Sequence, residues 1–250
     1  MGLFVIVGCS DDEDDATPGN DLGSVADIDG NEYKIVVIGD QEWMAENLRV
    51  TRYNNGDAIP TGLNDAEWLY TLQGAYAIYP HDGIPGLNSE EEVIEAYGIL
   101  YNWYAVNTGN LCPEGWSVPS DADWMQLVDY AANQGFPNTD VANGTGNALK
   151  SCRQVNSPLG GDCDTSGHPR WNSNDTHSGF DEFGFSALPG GTRSLNGEFV
   201  VIGDFALFWS SSEYITPYAW GHYITSHFGS VRRNYDFKTN GFNVRCFRPI

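Results

Sequence analysis

Asn172, Asn174, Asp175, Asp181 and Glu182 fall within one short polar stretch. Carboxylate and side-chain amide oxygens are the ligands that Ca²⁺ takes, about six to eight at a time. Asn174, Asp175, Asp181 and Glu182 are therefore the candidate calcium set. Their spacing is not that of an EF-hand, so an ordinary polar loop is the competing reading. A second chemistry lies in the rings of Trp209, Tyr214, Tyr218, Trp220 and Tyr223, which crowd the late part of the chain. Alternate positions on a strand fill a core, which assigns Trp209 and Trp220 to packing. Tyr214 and Tyr218, read as loop rings between two strands, and Trp171 in the polar stretch are the candidates for stacking on a ligand such as a sugar face.

Nothing comparable supports catalysis. Ser210, Ser211 and Ser212 stand beside Glu213, but no His or Lys base is placed near them in sequence. The run Gly144 to Ser151 has a lysine at its end and no glycine before it, which departs from a phosphate-binding loop. His81, His168, His177, His222 and His227 form no HExxH pattern and have no cysteine at zinc spacing. No catalytic residue is assigned, and the expectation is a protein that is not an enzyme.

The elements that must carry these groups are short. Tyr33 to Ile38 and Gln41 to Met44 flank Gly39-Asp40 and predict a hairpin. Ser89, with Glu92 three residues on, predicts a helix through Tyr97. The main helix begins at Ser120, with Asp123 at its third position. Trp124, Leu127, Val128 and Ala131 then form one apolar stripe. Gly135 to Ser178 is rich in Gly, Asn, Ser, Asp and Pro, and reads as a long surface loop with a brief helical piece at Ala148 to Arg153. Strands follow at Thr192–Leu195, Glu198–Ile202, Ala206–Ser210, Ala219–Thr225, Ser230–Phe237 and Asn243–Arg248, with Asn196-Gly197 as a type I′ turn. That order predicts an antiparallel meander within a single α+β domain.

Composition and charge narrow the partners. The 250 residues carry 12 Lys+Arg against 34 Asp+Glu, a formal charge of −22. Such a balance excludes a nucleic-acid backbone as partner, because that surface requires a basic patch. Hydrophobic residues at 41% and aromatics at 13% supply a core that an acidic disordered chain lacks. The apolar Leu3 to Val7, then Gly8-Cys9 and five acids from Asp11 to Asp15, resemble a bacterial lipoprotein signal. Cys9 is the expected lipidation site, with the positive start of the signal expected upstream of Met1. Residues 1–9 are then signal, 10–24 an acidic tether, and 25–250 one domain. The remaining Cys112, Cys152, Cys163 and Cys246 allow three pairings. The short spacing of Cys152 and Cys163 around Gly160-Gly161 favours a local staple, which leaves Cys112 for Cys246.

A series of ordered motifs resembles a known family. Asp27-Ile28-Asp29-Gly30-Asn31, VVIGDQEWMAENLR (Val36 to Arg49), YNNGDAIP (Tyr53 to Pro60) and YGILYNWYAV (Tyr97 to Val106) come first. CPEGWSVPSDADW (Cys112 to Trp124), GFSALPGGTR (Gly184 to Arg193), FWSSSE (Phe208 to Glu213) and VRCFR (Val244 to Arg248) complete it. The chain resembles the Fibrobacter succinogenes major paralogous domain of bacterial surface lipoproteins. That family is similar in turn to the C-type-lectin-like fold of formylglycine-generating enzymes. Here the close pair of reactive cysteines of those enzymes is missing, so their catalysis does not transfer. The resemblance implies short antiparallel strands, one or two main helices and a long disulfide-stapled loop region. It also implies an acidic patch after the lipidated cysteine that directs export to the outer face of the outer membrane. The functional expectation is a lipid-anchored cell-surface binding or adhesion module that recognises a glycan or another surface protein. A structural or assembly protein of the envelope is the alternative, and a cryptic enzyme the least favoured.

Overall fold

Ser120 sets the boundary of the longest helix by capping it from both sides. Its hydroxyl accepts the Asp123 amide at 3.2 Å, while the Asp123 carboxylate accepts the Ser120 amide at 2.7 Å. In the computed structural model, which describes residues 23–250, this helix runs from Asp121 to Asn133. Trp124, Leu127, Val128 and Ala131 are its buried residues, the stripe expected from their spacing.

The helices are α1 (Asp65–Tyr70), α2 (Glu90–Tyr97), α3 (Trp103–Val106), α4 (Asp121–Asn133) and α5 (Thr145–Leu149). Early strands are β1 (Ser24–Ala26), β2 (Glu32–Ile38), β3 (Gln41–Met44), β4 (Tyr76–Ala77) and β5 (Leu100–Asn102). Later ones are β6 (Thr192–Arg193), β7 (Phe199–Val200), β8 (Phe205–Ile215), β9 (Tyr218–Thr225), β10 (Arg232–Phe237), β11 (Gly241–Phe242) and β12 (Phe247–Pro249). Their pairings are antiparallel and give three sheets, ordered β1-β2-β3-β12, β4-β5-β11-β6-β7 and β10-β9-β8. The α+β class and the mostly antiparallel strands agree with expectation.

Several local expectations are corrected. The meander holds for β8 to β10 only, since β11 and β12 leave it for the other two sheets. Asn196-Gly197 is not a type I′ turn, which needs positive φ at both residues: Gly197 has φ +89°, but Asn196 is not among the positive-φ residues. The helical piece falls at Thr145–Leu149 instead of Ala148–Arg153. Tyr214 and Tyr218 belong to β8 and β9, with only Thr216-Pro217 between those strands.

Both disulfides form as expected, Cys112 with Cys246 and Cys152 with Cys163. The largest core cluster includes Tyr101, Trp103, Trp209 and Phe242. A second surrounds Trp43 and Trp124, whose ring centroids lie 5.0 Å apart, with Phe185, Phe208 and Phe247 against them. Beside it the fully buried Arg245 donates to Asn47 Oδ1 and to the carbonyls of Met44, Phe185 and Ser186. Cys9 and nearly all of the expected signal and tether lie outside the described residues.

Candidate functional site

Side chains alternate between the two faces of a strand. In the register of β9 with β10, Tyr218 faces Phe237, Trp220 faces Tyr235, and His222 faces Arg233. All six therefore share one face of the sheet, and Phe208 of β8, opposite His222, lies on it too. At its inner end this face is core, because α4 covers it. The Trp124 ring stacks on His222 at 5.1 Å and 12°, and lies 5.3 Å from Phe208.

Asp121, the first residue of α4, marks the end of that cover. Its carboxylate takes Arg233 Nε and Nη2, each at 2.7 Å, and lies 3.2 Å from His222 Nε2. Burial alone would raise the Asp121 pKa, but the bonds from His222 and Arg233 outweigh it and hold the carboxyl well below the usual range. Burial likewise pushes His222 down, against the opposing pull of Asp121.

Beyond Asp121 the same face is open and lined with rings. Tyr214 stacks on Tyr235 at 4.4 Å and 15°, and meets Trp220 edge-on at 4.8 Å. Tyr218 contacts Tyr235 at 5.4 Å and Phe237 at 4.6 Å. Tyr214, Ile215, Tyr235 and Phe237 are exposed. The Arg233 guanidinium lies 3.5 Å from the centre of the Trp220 ring. Exposed large apolar groups gathered in one patch mark contact sites more reliably than scattered ones.

The other expected site residues are not brought together. Trp171 is fully buried in the core and donates its Nε1–H to the Ala187 carbonyl at 3.1 Å, so it packs and offers no ring face to a ligand. Asn174 Oδ1 is occupied by the amides of Thr176 and His177, and Asp181 Oδ1 by the Ser186 amide at 2.7 Å. Asp175 and Glu182 point to solvent. Among the described residues no group of three or more His, Cys, Asp or Glu side chains converges to hold a metal. The loop also holds a buried lysine, Lys150, whose pKa burial pushes down to about 7. Its Nζ donates to Asn147 Oδ1 and the carbonyls of His177 and Phe228, at 2.8, 2.8 and 3.2 Å.

Two of the serines beside Glu213 have structural partners. Ser210 donates to the Trp220 carbonyl, and the Ser212 hydroxyl accepts the Asp121 amide at the start of α4. Trp220, Arg233, Tyr235 and Phe237 are the members of the face that sequence reasoning missed. The signal was present as rings at every second position of two neighbouring strands, Tyr218-x-Trp220 and Tyr235-x-Phe237.

Comparison with known families matches residues 36–248 to the Fibrobacter succinogenes major domain. The chain belongs to that family. Its match includes the aromatic face and all four disulfide cysteines, and it begins within β2. No curated protein and no solved structure matches the chain. The Fibrobacter succinogenes major domain assignment therefore describes the scaffold, and any role for the face must come from its own chemistry.

Proposed function

We propose that this chain is a lipid-anchored binding or adhesion module of the bacterial cell surface, and that it binds a glycan through the open aromatic face of β8, β9 and β10. The observation that carries the reading is the continuous patch of Tyr214, Tyr218, Trp220, Tyr235 and Phe237 on a sheet face that α4 leaves uncovered. Rings pre-positioned by their neighbours lose little freedom on binding, and their apolar surface suits the C–H face of a sugar. The C-type-lectin-like relationship belongs to the same reading, as does surface display through Cys9 and the acids after it.

A second reading, another surface protein as ligand, is favoured by one feature. Tyr214 and Tyr235 stack on each other and so cover one face of each ring. Tyr, Trp and Arg together are also the residue types that dominate protein contacts.

Glycan-array binding by the chain, compared with Trp220→Ala and Tyr235→Ala, tests the assignment. Both variants are expected to melt within a few degrees of the parent and to bind more than about tenfold more weakly, the effect of losing one contact residue. Unchanged binding by both variants overturns the face as the site. Capture of surface proteins, lost in the same variants while no glycan binds, transfers the site to the second reading. A chain that binds neither is an envelope structural protein.

A further inference from the structure

Strand β10 is the outer strand of its sheet, and its free edge is written in charge. The Lys238 amide donates to the Pro217 carbonyl at 3.0 Å, directly after the pair Phe237 and Tyr218. Since bonded pairs alternate along an antiparallel ladder, Arg232, Asn234 and Asp236 turn their N–H and C=O groups to β9, and Arg233, Tyr235 and Phe237 turn theirs outward. The outward groups are closed at both ends of the strand. Asn138 accepts the Val231 amide and donates to its carbonyl, and the Phe237 carbonyl accepts the Asn240 amide. Arg233 and Tyr235 are left between them, on a strand whose residues are almost all exposed.

An unpaired edge is a template for another strand. The sequence of β10, Arg-Arg-Asn-Tyr-Asp-Phe, selects which one. Consider two copies side by side, antiparallel about a two-fold axis through one residue. An axis at Arg232, Arg233 or Asp236 sets that charge against itself, and an axis at Tyr235 sets Arg232 against Lys238. Like charges directly opposite are destabilising. An axis at Asn234 instead sets Arg232 against Asp236 twice, and Arg233 against Tyr235 twice. In that register Arg233 and Tyr235, whose outward N–H and C=O groups are both open, are the bonded pairs. Arg232 and Asp236 then occupy the closer, non-bonded position, where side chains approach best. Among the described residues of one chain Asp236 has the Asn240 amide as its side-chain partner, while Arg232 holds a half-exposed pair with Asp140.

We propose that two copies of this chain associate through β10, antiparallel about Asn234, so that the two sheets become one six-stranded sheet. Parity puts the aromatic faces of both copies on the same side. The two-fold arrangement is isologous, as closed dimers require. A ligand with repeated units would then meet two faces at once and gain by avidity.

Sedimentation equilibrium of the full chain, without any ligand, tests the association. The parent is expected at twice the mass of one chain. Arg232→Asp and Asp236→Arg, each alone, set like charges opposite one another and are expected as monomers. Mixed in equal amounts they are expected to form a heterodimer, because each then supplies the charge that the other lacks. Should either variant lose its near-ultraviolet dichroism, Tyr235→Pro takes its place, since it removes an outward N–H that β9 does not use. That variant is also expected as a monomer. A monomeric parent, dimeric single variants, or no association on mixing overturns the proposal. None of these masses depends on ligand binding, so such a failure leaves the proposed binding face to its own test.

Discussion

The guanidinium of Arg233 rests on the ring of Trp220, 3.5 Å from its centre, while two of its nitrogens hold Asp121 at 2.7 Å. One side chain thus ties the first residue of α4 to the inner edge of the aromatic face. The third partner, His222, is buried, and that burial pushes its pKa down against the pull of Asp121.

This cluster makes stability depend on pH in a defined sense. The folded pKa values of His222 and Asp121 both lie below their unfolded values. Their contributions are complete above the unfolded pKa and are lost as pH falls, for His222 from about pH 6.5 and for Asp121 from about pH 3.9. Urea unfolding at pH 7 and pH 5 is expected to show the parent losing more stability than His222→Gln, which has nothing to protonate in that window. Equal losses would mean that His222 titrates alike in both states.

Trp124→Ala is expected to destabilise by about 3–5 kcal/mol, because it empties a large site between Trp43, Phe185, Phe208 and His222. Tyr235→Ala, at an exposed position, is expected to stay within about 1 kcal/mol of the parent. Denaturant midpoints with unchanged slopes measure both. Similar losses in the two variants would make the open face part of the core.

Arg245→Leu is expected to cost about 3–5 kcal/mol, a loss as large as that of breaking a buried ion pair. The leucine fills the space but leaves Asn47 Oδ1 and the carbonyls of Met44, Phe185 and Ser186 without their donor. Thermal melting of the variant checks this, and a change of less than a few degrees would refute it.

The two disulfides are expected to contribute unequally. Cys112 and Cys246 are 134 residues apart and Cys152 and Cys163 are 11 apart, for which chain entropy gives upper values of about 5 and about 3 kcal/mol. Cys246→Ser should therefore lower the melting temperature more than Cys163→Ser, and the reverse order would place the effect in the folded state.

For the anchor, Cys9→Ala is expected to shift the protein from the membrane to the soluble fraction of its own host. Persistence in the membrane fraction would remove lipidation from the proposal.

Elements whose signals are local were legible in the sequence. The β2–β3 hairpin and α4 announce themselves by alternation, by capping and by an apolar stripe within one window. By contrast α1 and α3, at six and four residues, are too short for a period to show. Trp220 was assigned to the core because alternation tells which residues share a face, but not where the covering helix stops. That boundary is set by Asp121, 99 positions before Trp220 (220 − 121). Trp171 was misplaced for the converse reason: its polar neighbours in sequence say nothing of Ala187, whose carbonyl receives its indole N–H. Arg245 gave no signal either, since a guanidinium near a chain end is usually exposed and only its surrounding carbonyls bury it.

The pairing of β12 with β3 joins strands about 200 residues apart, Phe247 opposite Trp43 and Pro249 opposite Gln41. Until synthesis reaches that point, β3 has one edge without a partner, Cys112 has no Cys246 to join, and the pocket of carbonyls around Arg245 stands empty. Folding of this domain is thus a closing event that waits for the synthesis of β12. A chain that lacks β12 would have an open sheet edge beside a bare cluster of tryptophans, a product for proteases and not a shorter version of the same protein.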